Sequence, residues 1–294
     1  MFRYYGFIGI ILSIFAFFAT VLQLNYPPYV IISTNFIGIW LFLDAIDFKL
    51  NNTSILNSIK KVHFLIVYIL IGAFLISLVS ELFGHFLYKL WGDIFYLNFK
   101  TASISRILIF MRAMIIGYGG PFLMTLSLYR IISHFIKKEH PIITINSNLK
   151  KIEKNIFPIL GVIGLFFLIF PFFISYFSTN LPEIYRIVLF GLSLLGIWFL
   201  LEYTEYTKHK SSLLKDIMEF KGKYIISIII TSFVVSLIVE CFNLLKPAWK
   251  YKNIPLSNIK LLGIPIIIII GWIPLVIIFL SFYRALIKSK DIKF

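Results

Sequence analysis

Eight long apolar segments constrain this chain more than any other feature. An α-helix needs about 20 apolar residues to cross ~30 Å of hydrocarbon, and the segments are close to that length. None alternates with period two, so they predict helices rather than barrel strands. The sequence therefore predicts an all-α, polytopic transmembrane helix bundle of about eight spans. The segments lie at about 5–24, 29–46, 62–86, 107–132, 156–178, 184–203, 223–245 and 261–285.

The composition excludes other classes of protein. The chain is 60% hydrophobic and 14% charged, whereas soluble domains average about 45–50% apolar and roughly 25% charged residues. Its formal charge of +15 would suggest nucleic acid in a soluble protein. In a membrane protein the same excess gathers in cytoplasmic loops, so we expect no nucleic-acid partner. One cysteine, Cys241, excludes an internal disulfide and a Cys-rich metal site.

The loop charges predict the orientation. With the N-terminus inside, 19 of the 28 Lys and Arg residues fall on the cytoplasmic side and eight on the other. This bias predicts a multi-pass protein of the cell membrane with both termini cytoplasmic. Arg130 and Arg284 end two spans on the inner side, where we expect their side chains to snorkel to the interface.

An internal repeat organises the chain. Segment 38–44 (GIWLFLD) matches 196–202 (GIWFLLE), and 126–130 (LSLYR) matches 280–284 (LSFYR). Between them Glu81 matches Glu240 and Trp91 matches Trp249, in the same order. We therefore predict two parallel four-span repeats, 1–136 and 156–294, joined by a basic cytoplasmic linker at 137–155. Residues 1–20 also fit a signal peptide, but a counterpart in the second repeat favours an uncleaved span.

Two glutamates are candidate catalytic residues. Ionisable groups inside a span cost at least ~2.5 kcal/mol and are functional candidates by default. Glu81 and Glu240 fall at equivalent places in the third and seventh spans. Arg112 lies at a similar depth, so we predict that it pairs with one or both. The alternative is a buried ion pair that only fixes helix packing. His85 shares a helical face with Glu81, either as a metal ligand or as an interfacial hydrogen-bonding residue.

Two acidic pairs are candidate metal ligands. Asp44 and Asp47 end the second span, and Glu202 and Glu205 end the sixth. Spacing of three places each pair on one helical face. Four such carboxylates suit a divalent cation, for example Mg²⁺ with a diphosphate. The alternative is a set of solvated helix ends without a cofactor.

One motif carries a family resemblance. The second repeat contains Glu240, Trp249-x-Tyr251, Gly263-x-Pro265 and Gly271-Trp272. This order resembles the membrane proteins of carotenoid biosynthesis, of the lycopene-cyclase-like and carotenoid-hydratase types. The resemblance implies acid catalysis on an isoprenoid double bond, with Glu81 or Glu240 as the proton donor. The candidate ligand-binding residues around them are Arg112, His85, Trp91, Trp249 and Tyr251.

Three functions remain open at this level, and enzyme activity is undecided. The first is transport or binding of a small solute or lipid at a Glu/Arg cluster between the repeats. The second is a membrane enzyme that acts by acid catalysis on an isoprenoid-like lipid. The third is a non-catalytic scaffold. The expected partners are membrane lipid and a hydrophobic or small-molecule ligand; oligomeric state is not predicted.

Overall fold

The computed structural model describes residues 3–61, 64–93, 104–136, 147–178, 181–218 and 222–287. Each of the eight predicted segments coincides with a long helix, and short helices α3 and α8 follow the second and sixth. The last turns of α4 and α10 widen into π-helix at Glu81–Leu87 and Tyr283–Ile287. The helices are α1 (Tyr4–Val21), α2 (Pro28–Asn51), α3 (Ile55–Lys61), α4 (Phe64–Ser80), α5 (Ile104–Phe135), α6 (Ser147–Phe177), α7 (Glu183–His209), α8 (Leu213–Met218), α9 (Gly222–Leu245) and α10 (Ile266–Phe282). The strands are β1 (Trp91–Asp93), β2 (Trp249–Tyr251), β3 (Lys260–Leu261) and β4 (Ile264–Pro265).

Six helices of the described chain are long and apolar enough to cross a membrane: α1, α2, α6, α7, α9 and α10. Large apolar side chains lie exposed along the outer helices, such as Phe7 on α1 and Phe166 on α6. Such surfaces suit lipid and not water. The chain is thus an all-α, membrane-embedded helix bundle, as predicted.

Glycines bring two helix pairs into backbone contact. A Cβ on Gly9 of α1 would lie 2.5 Å from the Gly38 carbonyl oxygen of α2. A Cβ on Gly164 of α6 would lie 2.9 Å from the Gly196 carbonyl oxygen of α7. Small residues allow this close packing in membranes, where no hydrophobic force drives helices together. α1–α2 and α6–α7 are therefore two tight hairpins.

The main core lies between α4, α5, α9 and α10. On α5, the Phe122 ring meets Phe279 and Phe282 of α10 edge to face, with centroids 5.5 and 6.0 Å apart. Gly72 of α4 leaves the space that the Phe282 ring fills. The central helices from both ends of the sequence therefore pack as one core.

A short antiparallel ladder joins the loops that follow α4 and α9. β1 pairs with β2 in the register Trp91↔Tyr251, Gly92↔Lys250 and Asp93↔Trp249. The Lys252 N–H donates to the Leu90 carbonyl at 2.7 Å and extends this connection. We call the β1–β2 pair together with the Lys252–Leu90 bond the loop ladder.

Two further side-chain hydrogen bonds connect the segments around the loop ladder to helical hairpins of the other half of the chain. Arg186 at the start of α7 donates to the Tyr88 carbonyl at 3.1 Å. Lys246, just after α9, donates to the Leu24 carbonyl in the α1–α2 turn at 2.7 Å. Each loop is thus tied to a hairpin from the other end of the sequence.

The last long helix begins later than the apolar pattern predicts. Residues 260–265 form the β3–β4 hairpin, and α10 starts at Ile266. Gly263, with φ +84°, supplies the left-handed turn, a conformation that glycine adopts without steric penalty. Hydropathy alone does not distinguish this apolar hairpin from the helix that it precedes.

Candidate functional site

Aromatic donors converge on Glu240 near the end of α9. Glu240 is 2% exposed. Its Oε1 accepts hydrogen bonds from the Tyr251 hydroxyl at 2.6 Å and the Trp272 indole N–H at 3.1 Å. The Trp249 indole interacts with the same carboxyl group. Among the described side chains, no Lys, Arg or His forms an ion pair with Glu240.

An asparagine one turn beyond Glu240 holds the strand that carries two of these donors. The Asn243 Oδ1 accepts from the Ala248 N–H at 2.9 Å and the Trp249 N–H at 3.2 Å. Its Nδ2 donates to the Trp249 carbonyl at 3.1 Å. The sequence analysis did not select Asn243. Its position three residues after Glu240, which places both side chains on one face of α9, could have indicated it.

Glu81 has a different set of partners. It is 6% exposed and begins the π-helical turn of α4. Its Oε1 accepts from the Tyr118 hydroxyl of α5 at 2.5 Å, and its Oε2 lies 3.7 Å from His85 Nδ1. Arg112 belongs to α5, but its side chain lies outside the described residues, so its pairing with the glutamates stays a prediction. π-Helical turns often occur at functional sites.

Trp91 packs between two helices. A Cβ on Gly84 would collide with the six-membered ring of Trp91, which therefore rests on the bare backbone of α4. A second partner is Phe190 of α7, whose ring meets Trp91 edge to face with centroids 5.5 Å apart. Trp91 and Trp249, although matched in sequence, thus have different surroundings.

The first acidic pair is fully buried and accepts bonds from four groups. Asp44 accepts from the Tyr5 hydroxyl at 3.0 Å and from the Leu56 N–H at 3.1 Å. Asp47 accepts from Arg130 Nε at 2.7 Å and from Asn51 Nδ2 at 2.7 Å. Asp44 therefore satisfies a free N–H at the start of α3, and Asp47 balances a buried guanidinium.

The second acidic pair repeats this arrangement. Glu202 accepts from the Ser281 hydroxyl at 2.7 Å and from the Leu214 N–H at 2.8 Å, at the start of α8. Glu205 accepts from Arg284 Nε at 2.9 Å. The same guanidinium donates through Nη2 to Asp216 at 2.8 Å.

These contacts correct two interpretations of the sequence. The acidic pairs are not solvated helix ends, because all four carboxylates are 0% exposed. Arg130 and Arg284 do not snorkel to the interface; they are 4% and 5% exposed and bind the acids. The matched Tyr-Arg pairs at 129–130 and 283–284, together with the matched acids, could have indicated that each arginine binds an acid of its own half.

Within the described residues, no group of three or more His, Cys, Asp and Glu side chains is placed to hold a metal ion. The partners described above for the acidic pairs are hydrogen-bond donors of the protein itself. The divalent-cation site at Asp44, Asp47, Glu202 and Glu205 stays a prediction.

Comparison with known protein families, curated proteins and solved structures found no match to the chain. The site must therefore be interpreted from its own chemistry.

Proposed function

We propose that the protein binds an isoprenoid-like lipid within the membrane and protonates one of its double bonds, with Glu240 as the proton donor. One observation carries the proposal. Trp249, Tyr251 and Trp272, which share the sequence motif with Glu240, all act on that one carboxyl group. Residues up to 32 positions apart in the chain thus form one hydrogen-bonded polar cluster around the Glu240 carboxyl group.

The bond pattern at Glu240 suits an acid. Tyr251 and Trp272 both donate to Oε1, and in this proposal the proton of the neutral acid lies on Oε2. No described cation balances a negative charge here, and an ion in an apolar site is costly. Burial raises the pKa of the Tyr251 phenol well above its usual value. Tyr251 therefore remains a neutral donor at physiological pH.

The proposed reaction transfers a proton from Oε2 to the less substituted carbon of a trisubstituted double bond. The alkene π-electron pair forms the new C–H bond and leaves a tertiary carbocation, which nearby aromatic faces stabilise through cation–π attraction. Water then adds to the cation and loses a proton, which restores the acid and yields a tertiary alcohol. Loss of a neighbouring C–H proton instead gives an isomerised alkene. If the π-electron pair of a second double bond in the same lipid first attacks the cation and forms a C–C bond, loss of a proton from the resulting cation gives a cyclised alkene.

We further propose the architecture of two parallel four-span repeats, 1–136 and 156–294, with the linker at 137–155. Contacts recur between matched positions of the two parts. These are Glu81–Tyr118 with Glu240–Trp272, Asp47–Arg130 with Glu205–Arg284, and Gly9–Gly38 with Gly164–Gly196.

The loop ladder supports the same architecture. Gly92 and Lys250 follow the matched tryptophans Trp91 and Trp249, and they pair with each other. When two equivalent antiparallel strands pair so that their equivalent central residues face each other, a two-fold axis through that central pair relates the strands, as in a symmetric dimer. An axis along the membrane normal is the arrangement expected for parallel repeats.

In this arrangement α4 with its π-turn and α5 are the remaining two spans, which makes eight. α5 has 32 residues, more than the ~20 that a span needs. From the bias of the loop charges we propose that both termini are cytoplasmic and that the protein lies in the cell membrane. Glu81 and Glu240 then lie toward the outer surface, and the acid–arginine pairs toward the inner one.

Transport has less support than lipid chemistry. Alternating access by rocking of two halves opens each membrane face in turn. The loop ladder, the Arg186–Tyr88 bond and the Lys246–Leu24 bond hold the halves together at one face. Opening that face would break all of these hydrogen bonds.

The test uses protein reconstituted in liposomes that contain lycopene, an acyclic polyene, in ¹⁸O-labelled water. We expect the wild-type chain to form a product detected by chromatography and mass spectrometry: an ¹⁸O-alcohol, or an isomer of unchanged mass. Glu240→Gln should lower the rate by about 100-fold or more, the usual contribution of a positioned acid. Glu183→Gln, at an exposed glutamate of α7, is the matched control and should retain the wild-type rate. Full turnover by Glu240→Gln, or no conversion by the wild-type chain, would overturn the proposal.

A further inference from the structure

The two glutamates differ in the residue that follows them by three positions. Asn243 follows Glu240 and ties down the backbone at Ala248 and Trp249 with three hydrogen bonds. Gly84 follows Glu81 and has no side chain. The matched positions thus carry residues of very different size and hydrogen-bonding capacity.

This difference decides where each loop tryptophan lies. At Gly84 the Trp91 ring occupies the space where a Cβ would be, so it rests on α4, and it also contacts the Phe190 ring of α7. A side chain of any size at this position excludes that placement. Asn243 therefore both excludes the equivalent placement of Trp249 and holds its backbone one turn beyond Glu240.

We propose that Asn243 is the positioning residue that creates the lipid site, and that each chain binds one lipid beside Glu240 and none beside Glu81. By fixing the start of β2, Asn243 holds Trp249 and Tyr251 against the carboxyl group. In the first half, Trp91 instead packs on the backbone of α4 at Gly84 and against Phe190 of α7. This inference rests on the proposed lipid chemistry for its ligand, while the role of Asn243 is testable without one.

The ligand-free test uses ¹⁹F NMR of protein labelled with 5-fluorotryptophan, which gives one signal for each of the five tryptophans. Trp→Phe variants assign the signals. Glu240→Gln should shift the signals of both Trp249 and Trp272. In an Asn243→Ala background the same change should still shift Trp272 but no longer Trp249. Asn243→Asp, which keeps the Oδ acceptor for the two N–H groups, should restore the Trp249 response.

An unchanged Trp249 response in Asn243→Ala would overturn the positioning role. The persistent Trp272 response in that variant reports that the bundle is still folded. If the Trp272 response is lost too, Asn243 supports the whole fold, and the specific role is likewise refuted.

The ligand test measures lycopene binding in detergent by quenching of tryptophan fluorescence. We expect one lycopene per chain, at least tenfold weaker binding by Asn243→Ala, and wild-type binding by Gly191→Ala, which changes an open position on α7. Two lycopenes per chain, or unchanged affinity in Asn243→Ala, would contradict the inference. A wild-type chain that binds no lycopene overturns the proposed function and the one-site claim together, whereas the fluorine experiment still decides the role of Asn243.

Discussion

Removal of the Arg130 side chain should destabilise the protein more than loss of an exposed basic residue. Arg130 is 4% exposed and Asp47 is 0% exposed, with Nε and Oδ2 2.7 Å apart. Through Nη2, Arg130 also donates to the carbonyl and hydroxyl oxygens of Thr53, at 3.0 and 2.8 Å. One side chain thus joins α5 to the end of α2 and to the turn before α3.

The magnitude follows from what Arg130→Ala leaves behind. Asp47 keeps its bond from Asn51 but loses its counter-charge in a buried site. Breaking a buried ion pair by removing one partner costs about 3–5 kcal/mol. The Thr53 carbonyl, which loses a charged donor, adds to this loss.

The free energy of unfolding can be measured by SDS titration in mixed micelles. Lys49→Ala is the matched control, since Lys49 lies exposed in the last turn of α2 and such substitutions stay within ~0.5 kcal/mol. Asp47→Ala alone should also be destabilising. The double variant should lose clearly less than the sum of the two, because neither charge is then left unpaired. Additive losses, or an Arg130→Ala variant as stable as Lys49→Ala, would refute the reasoning.

Three further predictions concern stability. Arg284→Ala should cost more than Arg130→Ala in the same titration, because the described ion pairs join Arg284 to both Glu205 and Asp216 and Arg130 to Asp47; an equal or smaller loss would contradict this. Gly38→Ala should lower the melting temperature, since its Cβ would lie 2.8 Å from the Gly9 carbonyl oxygen. Gly191→Ala, where nothing lies within 4 Å, should leave the melting temperature equal or higher. Equal melting temperatures of Gly38→Ala and Gly191→Ala would contradict the close contact between Gly9 and Gly38. The raised pKa of Tyr251 means that the folded chain holds this proton more tightly than the unfolded chain, whose tyrosines titrate near pH ~10. The stabilisation that Tyr251 gives to the folded chain is therefore fully present below about pH 10, and it is lost as the pH rises further. Wild type should lose more stability than Tyr251→Phe between pH 9 and pH 11, and parallel losses would exclude this linkage.

The helices could be predicted from the sequence because the membrane sets their length. An apolar segment of about 20 residues has few alternatives in hydrocarbon. α3 and α8 were not predicted, since helices of seven and six residues carry too little periodicity to be recognised. Their starts are nevertheless marked by Ser54 and Ser212, whose hydroxyls accept from N–H groups three residues on, as N-cap residues do.

Partners that are distant in sequence were harder to predict than helices. Asp47 and Arg130 are 83 residues apart, and hydropathy says nothing about which acid meets which base. The matched positions of Asp47 with Glu205 and of Arg130 with Arg284 held that information. The convergence of Trp249, Tyr251 and Trp272 on Glu240 needed the β2 strand to turn back over α9, which no periodicity encodes.

The distance along the chain between each buried acid and its arginine has a consequence during synthesis. Asp47 is made 83 residues before Arg130, and Glu205 is made 79 residues before Arg284. At about 5–20 residues per second, each acid waits roughly 4–17 s for its counter-charge. During this interval the α1–α2 and α6–α7 hairpins each hold a carboxyl group that lacks its arginine. Each arginine therefore completes an assembly step that the preceding hairpin cannot finish by itself.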